Sequence, residues 1–143
     1  MATLRLQQVL GGASALGRSI HSERDLVDLA RAGLPSSALE FLMALLKIPA
    51  DSISAPLALP KRTLARRKKQ ARLTAEESDR VLRLARIAAR AVEVLGSAEA
   101  ASRWLQKPNR ALGHVTPLSE LDTDTGVRMV ERLLGRIEHG IFS

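Results

Sequence analysis

The stretch TAEESDRVLRLARIAARAVEVLG, residues 74–96, decides the fold class. Thr74 and Glu77 stand at capping-box spacing, in which the hydroxyl accepts from the N–H three residues on and the carboxylate accepts from the N–H of the cap. Val81, Leu84, Ala88, Val92 and Leu95 then recur at helical intervals, and Gly96 is the residue type that most readily closes a helix. The spacing predicts one helix from about Ala75 to Leu95 with this stripe buried. Arg80, Arg83, Arg86 and Arg90 share the opposite side, either as a second basic surface or as a solvated face; the i, i+4 pairs Glu76 to Arg80 and Asp79 to Arg83 favour the latter.

Working outward, the same helical grammar repeats. Ser22 with Asp25 approximates a capping box ahead of Leu26, Leu29 and Ala30, and Gly33 and Pro35 end that helix. Ser37 and Glu40 match a second box before Leu39, Leu42, Met43 and Leu46, which Pro49 stops. A short helix over Asp51–Leu57 contains Pro56, whose ring removes one amide donor. Pro60 suits the first position of the next helix, which leans on neighbours through Leu57, Leu59 and Leu64. Beyond Gly96, Ser97 caps a helix that carries Trp104 and Leu105 inward and stops before Pro108. Pro117 begins a short turn of helix, and Val127, Val130, Leu134 and Ile137 mark a last helix from about Asp124 to Glu138, with Gly140 beyond it. The opening segment to His21 is Gly-rich and reads as a loosely structured arm or an element completed by a partner.

Composition agrees with an all-α protein. Aromatics make up 2% of the 143 residues while Ala, Leu and Arg abound, so strand formers are thin. A 45% hydrophobic chain of this length buries a core as one compact domain or two small ones. The net charge of +7 is local: residues 61–72 hold seven Lys or Arg and no acid, whereas 1–60 and 73–143 each balance to zero. A directed patch of this kind points to a polyanion. If it is the second helix of a helix-turn-helix, Lys61, Arg62, Thr63 and Arg66 are the base-facing candidates, and Arg67, Lys68, Lys69 and Arg72 the phosphate contacts. A solvated helix, an RNA patch and an acidic-lipid contact are the alternatives.

Other chemistry is sparse. Without cysteine there are no disulfides, thiolate metal sites or cysteine nucleophiles, and His21, His114 and His139 have no ligand spacing, so no metal is expected. Neither a Gly-rich phosphate loop nor a local Ser/His/Asp set is present, which argues against an enzyme with a cofactor. No apolar run approaches the ~20 residues of a membrane span, and the N-terminus lacks a secretory core, so the expected location is the cytoplasm. At the other end, Ile141 and Phe142 follow Gly140. An apolar end is either tucked against its own core or offered to a partner. Arg128, Arg132 and Arg136 lead towards it along one side of the last helix, as a solvated face or as part of the same surface.

Taken together, Trp104-Leu105, Pro108-Asn109, Ala111-Leu112-Gly113, Thr116-Pro117-Leu118, Gly126, Val130, Leu133-Leu134-Gly135-Arg136-Ile137 and Gly140-Ile141-Phe142-Ser143 resemble the toxin-binding domain of the Xre/MbcA/ParS-like antitoxins. The resemblance spans nearly all of residues 97–143. Upstream, Thr63-Leu64 with Arg66-Arg67, then Leu73-Thr74 with Glu76-Glu77-Ser78-Asp79-Arg80, is similar to the Xre-like helix-turn-helix region of these proteins, with Pro56 in the first helix of the motif. The implied organisation is an arm over 1–22, a DNA-binding region over 23–96 and a toxin-binding domain over 97–143, so that a cut near Gly96 separates the two activities. The resemblance implies an antitoxin, without enzymatic activity or cofactor, that obstructs the NAD⁺ cleft of a cognate RES-domain toxin. It also implies repression of its own operon through operator DNA, as a homodimer or a larger hetero-oligomer with the toxin. From their position, Arg132, Arg136, Ile141 and Phe142 are the expected toxin contacts. The alternative is a plain helix-turn-helix regulator whose C-terminal domain serves dimerisation.

Overall fold

A computed structural model describes the backbone of residues 2–140 and the side chains from Arg5 to Gly140. Among the described residues, nine α-helices run in chain order: α1 (Ala2–Val9), α2 (Gly12–Leu16), α3 (Glu23–Ala32), α4 (Ser36–Leu45), α5 (Ala50–Leu57), α6 (Lys61–Lys68), α7 (Ala75–Leu95), α8 (Ala98–Gln106) and α9 (Asp124–Glu138). Two 3-10 turns, Arg110–Leu112 and Leu118–Glu120, lie between α8 and α9. Among the described residues there is no strand, only isolated bridges at Pro35 with Arg72 and Asn109 with Val115. The fold is all-α, as the composition predicts.

The central element is α7. Its capping box forms in full, with Thr74 accepting from Glu77 N and Glu77 accepting from Thr74 N, and Gly96 closes it in the left-handed region. Burial is wider than the single predicted stripe: Leu82, Ala85, Ile87, Ala89 and Ala91 join Val81, Leu84 and Ala88 inside. The reason is that α1, α3, α5, α8 and α9 surround α7, and its alanines let them approach closely. The arginine side is correspondingly less solvated than expected. Neither Glu76 with Arg80 nor Asp79 with Arg83 closes as an ion pair; Arg90 instead makes a two-pronged contact to Glu138 of α9, at 2.9 and 2.5 Å.

The largest correction concerns the N-terminus. Residues read as a loose arm form α1 and α2, and Leu6, Val9, Leu10, Leu16 and Ile20 are buried in the core. Gly11 and Gly12 have φ of 101° and 83° and make the corner between the two helices, a conformation open to glycine at little cost. Their density in the sequence therefore signals a corner. A Cβ on Gly11 would also lie 2.6 Å from that of Ala15.

Smaller differences are local. The Ser37–Glu40 box does not form; α4 starts at Ser36 behind Pro35 and has no side-chain cap. Pro60 is the N-cap of α6, one position earlier than read. Helix α5 continues through Pro56 with the ring buried and ends at Ala58 in the left-handed region, φ 51°. Ser102 and Gln106 of α8 donate to the carbonyl of Leu46, tying α8 to the end of α4. One contiguous core runs from Leu6 to Leu134 and contains buried residues from both sides of Gly96.

Candidate functional site

Helices α5 and α6, joined by Ala58, Leu59 and Pro60, have the layout of a helix-turn-helix. The turn is held by Ala58 N donating to Ala55 O, Leu59 N to Ser54 O, and the Ser54 hydroxyl to Leu59 O. Ile53, Pro56, Leu57 and Leu59 are buried beneath it, but α6 itself sinks only Leu64. An eight-residue helix with one apolar anchor is short of packing energy, and polar contacts at its C-terminal end supply further fastening. The Ser36 hydroxyl lies 3.0 Å from Arg67 O and 2.6 Å from Gln70 O, and Ser36 N donates to Ala71 O at 3.0 Å. Leu73 N donates to Leu34 O, and the Ser78 hydroxyl accepts from Leu34 N at 2.7 Å.

The eight basic-run candidates divide on this scaffold. Arg62, Arg66, Lys68 and Lys69 are exposed. Arg62, Arg66 and Lys69 fall at i, i+4 and i+7, on one side of the helix. Lys61 is exposed beside Asp51, with which it forms an ion pair, and Thr63 is half-buried. The other two depart from their expected role as phosphate contacts. Arg72 donates to the backbone carbonyl of Gly33 at 2.7 Å. Arg67 turns inward: its Nε donates to Glu77 Oε1 at 2.7 Å and its Nη1 to Gln70 Oε1 at 2.8 Å. The side chains of Arg67 and Glu77 are only 15% and 7% exposed. Burial works against ionisation of Glu77, but the bond from Arg67, the N–H of Thr74 and the arginine's charge together hold its carboxyl below the ordinary value. The hydrogen bond to Glu77 raises the Arg67 pKa in turn.

A second surface lies on the C-terminal part. Thr123 caps α9 by accepting from Gly126 N at 3.0 Å, and Gly126, Val127, Val130, Leu133 and Leu134 are buried. Gly126 sits against the turn at Leu118–Glu120, where an added Cβ would meet Glu120 O at 1.8 Å. Further along α9, Met129, Arg132, Leu133 and Arg136 line a cleft of about 140 Å³ with Ala111 and Leu112. The loop that carries Leu112 is closed by Asn109 N donating to Val115 O, His114 N to Asn109 O, and Ala111 N to the Asn109 side chain, all within 2.9 Å. It also exposes Val115, 40% accessible, and Met129 is 37% accessible. Ile141 and Phe142, the other two expected contacts, lie outside the described residues. Arg128 is spent on Asp124 at 2.9 Å.

Sequence reading missed several of these participants. Met129, Arg132, Leu133 and Arg136 stand at i, i+3, i+4 and i+7, so the mixed apolar and basic stripe was there to be found once the arginines were not taken alone. Leu112 reaches the cleft only through the loop's tertiary closure. Ser36 carried no signal for its role, and Glu77 was legible only as a cap. Among the described residues, no helix is long and apolar enough to cross a membrane, and no group of three His, Cys, Asp or Glu could hold a metal ion.

Comparison with known proteins divides along the same two surfaces. A family model described as the antitoxin Xre-like helix-turn-helix domain matches residues 25–86, and one described as the antitoxin Xre/MbcA/ParS C-terminal toxin-binding domain matches residues 90–140. A protein named Antitoxin Xre from Yersinia enterocolitica is 37% identical over 120 residues, covering 82% of this chain and 81% of its own length. Another Antitoxin Xre, from Photorhabdus laumondii, is 47% identical over 73 residues, about half of each chain. A protein from Sphingobium named Prs ADP-ribosylating antitoxin is 35% identical over 80 residues, 50% of each. Among solved structures, a chain of the M. tuberculosis MbcT–MbcA toxin–antitoxin complex matches with a TM-score of 0.54 at 20% identity, over 87% of this chain and all of that one. That last likeness is one of fold.

Proposed function

The chain belongs to the Xre/MbcA/ParS family of antitoxins, and on that premise we propose that it neutralises a RES-domain, NAD⁺-consuming toxin through the cleft on α9 while α6 binds operator DNA and represses its own operon. An antitoxin is an inhibitor; the chemistry belongs to the toxin. The observation that carries the toxin-binding reading is the pairing of exposed Met129 with Arg132 and Arg136 around one cleft. Apolar and arginine side chains together favour a protein partner. Planar guanidinium groups suit the carboxylates and phosphates that surround a dinucleotide. Ile141 and Phe142, which follow Gly140 in the sequence, are assigned to the same surface in the proposal. A relative named for Prs ADP-ribosylation supports NAD⁺ as the toxin's substrate, since ADP-ribose is transferred from NAD⁺.

On the other surface, Arg62 and Arg66 are exposed beside Lys61 and Thr63 as the base-facing set, and exposed Lys68 and Lys69 are the phosphate contacts. A homodimer would place two copies of α6 about one helical turn of DNA apart. The division of labour near Gly96 is then one of surfaces on a shared core. Co-expression of the tagged chain with its adjacent reading frames tests the proposal. We expect a RES-domain protein to co-purify in stoichiometric amount and its toxicity to be relieved. Recovery of nucleic acid and self-association alone would replace it with the regulator reading, in which the C-terminal surface joins two copies.

A further inference from the structure

The geometry points to Arg67 and Glu77 as a positioning pair that sets the rotation of α6 about its own axis, so that Arg62, Arg66 and Lys69 face outward together. The inference rests on the DNA-binding reading and deepens it. A helix pinned by Leu64 alone has one fixed point on its inner side, and turning it by a single residue's angle would carry a different set of side chains to the front. Arg67, three residues on from Leu64, is the second side chain of α6 held from within, where the Ser36 hydroxyl also meets its carbonyl. Its partner is itself immobilised, because Glu77 stands in the first turn of α7 and also accepts from Thr74 N at 2.9 Å. The guanidinium spans two acceptors, Glu77 on α7 and Gln70 just beyond α6, at 2.7 and 2.8 Å. Lysine, a point charge without a fork, does not reproduce that span. One arginine of the basic run thus serves the orientation of the others.

Charge-based and positioning roles predict opposite signs. Glu77→Gln keeps the volume and the carbonyl oxygen that accepts from both Thr74 N and Arg67 Nε, so it removes the charge that grips the guanidinium while leaving the cap of α7. It also removes a negative charge near the DNA surface, which by electrostatics alone strengthens binding. The experiment uses the full chain, with the DNA immediately upstream of its own reading frame as the probe. We expect Glu77→Gln and Arg67→Lys each to bind at least tenfold more weakly, with the salt dependence of binding unchanged. Unchanged or stronger binding of Glu77→Gln would overturn the inference. So would an Arg67→Met variant whose slope of log affinity against log salt falls by about 0.9, the mark of a lost phosphate contact, with Arg67→Lys behaving as the parent.

A readout without DNA separates this inference from the reading beneath it. Amide hydrogen exchange in Leu64–Lys68 is expected to quicken at least tenfold in Glu77→Gln while the amides of α7 and α9 keep their protection. Unaltered exchange in α6 sinks the positioning role whatever the DNA result. A parent protein that binds no DNA, with α6 nonetheless loosened by Glu77→Gln, leaves the anchor standing and removes the operator. Should Glu77→Gln not fold, Arg67→Lys carries both measurements.

Discussion

Helices α6 and α9 both present arginines to solvent, yet they are held in place by different means. Five residues of α9 are buried across its length, and its N-terminus is capped by Thr123. Only Leu64 of α6 is buried; its N-terminus has no side-chain cap, and polar contacts to Ser36 and Glu77 fasten its C-terminal end. A surface built on apolar packing is rigid over a wide range of conditions. One fastened by hydrogen bonds and an ion pair is adjustable, because each such contact is worth little net and depends on its partner remaining in place. The side proposed to face the toxin should therefore behave as a fixed shape and the side proposed to face DNA as a tunable one.

The sharpest way to break this contrast is Gly126→Ala. The new methyl would fall 1.8 Å from Glu120 O, and a backbone carbonyl has no rotamer with which to yield. Destabilisation of about 3 kcal/mol or more is expected, read as a loss of melting temperature and of toxin binding together. A near-parental melt would show that α9 is not pinned by packing. Next in size are the crossed surface variants. Arg132→Glu with Arg136→Glu should weaken toxin binding by roughly a hundredfold, about 2.7 kcal/mol, and leave DNA binding alone. Lys68→Ala and Lys69→Ala should each lower the salt slope by about 0.9 without affecting the toxin. Titration of both partners against both variants checks it; mutual interference would mean that the two surfaces are not separate. Smaller again is Thr123→Ala, expected to cost about 1 kcal/mol by removing the cap of α9. Its counterpart, Ser37→Ala, should stay within about 0.5 kcal/mol, since Ser37 caps nothing.

How far the sequence could be read follows the same distinction. Helix α7 was legible because cap, period and terminating glycine all agree at its ends, and α9 because period and glycine do; agreement between levels is what makes a local reading reliable. Helices α1 and α2 were not, since their order comes from burying Leu6, Val9, Leu10 and Leu16 against the rest of the core, which no local pattern announces. Ser37 and Glu40 have the right spacing for a box, yet α4 starts one residue earlier because the Ser36 N–H and hydroxyl are taken up by the carbonyls of residues 67–71. Charge was visible in the basic run but its direction was not. Arg67 and Arg72 look like their neighbours until Glu77 and the Gly33 carbonyl stand beside them.

Acid should expose the difference between the two helices with no mutation at all, and at neutral pH the effect is silent. Glu77 and Glu138 both have carboxyls held below their ordinary value. For Glu77 burial opposes this but the bonds from Arg67 and Thr74 prevail; for Glu138 the hydrogen bond from Arg90 leads. A carboxylate whose folded pKa is depressed stabilises the fold fully above its unfolded value, about 4.3, and that contribution is lost as the pH falls through the folded value. Both ion pairs therefore weaken in the same acid window, below about pH 4. What remains differs. Helix α9 keeps Val127, Val130, Leu133 and Leu134 in the core, whereas α6 keeps Leu64 and the neutral bonds of Ser36. Residue-resolved amide exchange followed downward from pH 6 should show α6 opening first, with α9 protected until the whole domain unfolds. Simultaneous loss in both helices would mean that α6 is carried by the common core and that its polar fastenings are incidental.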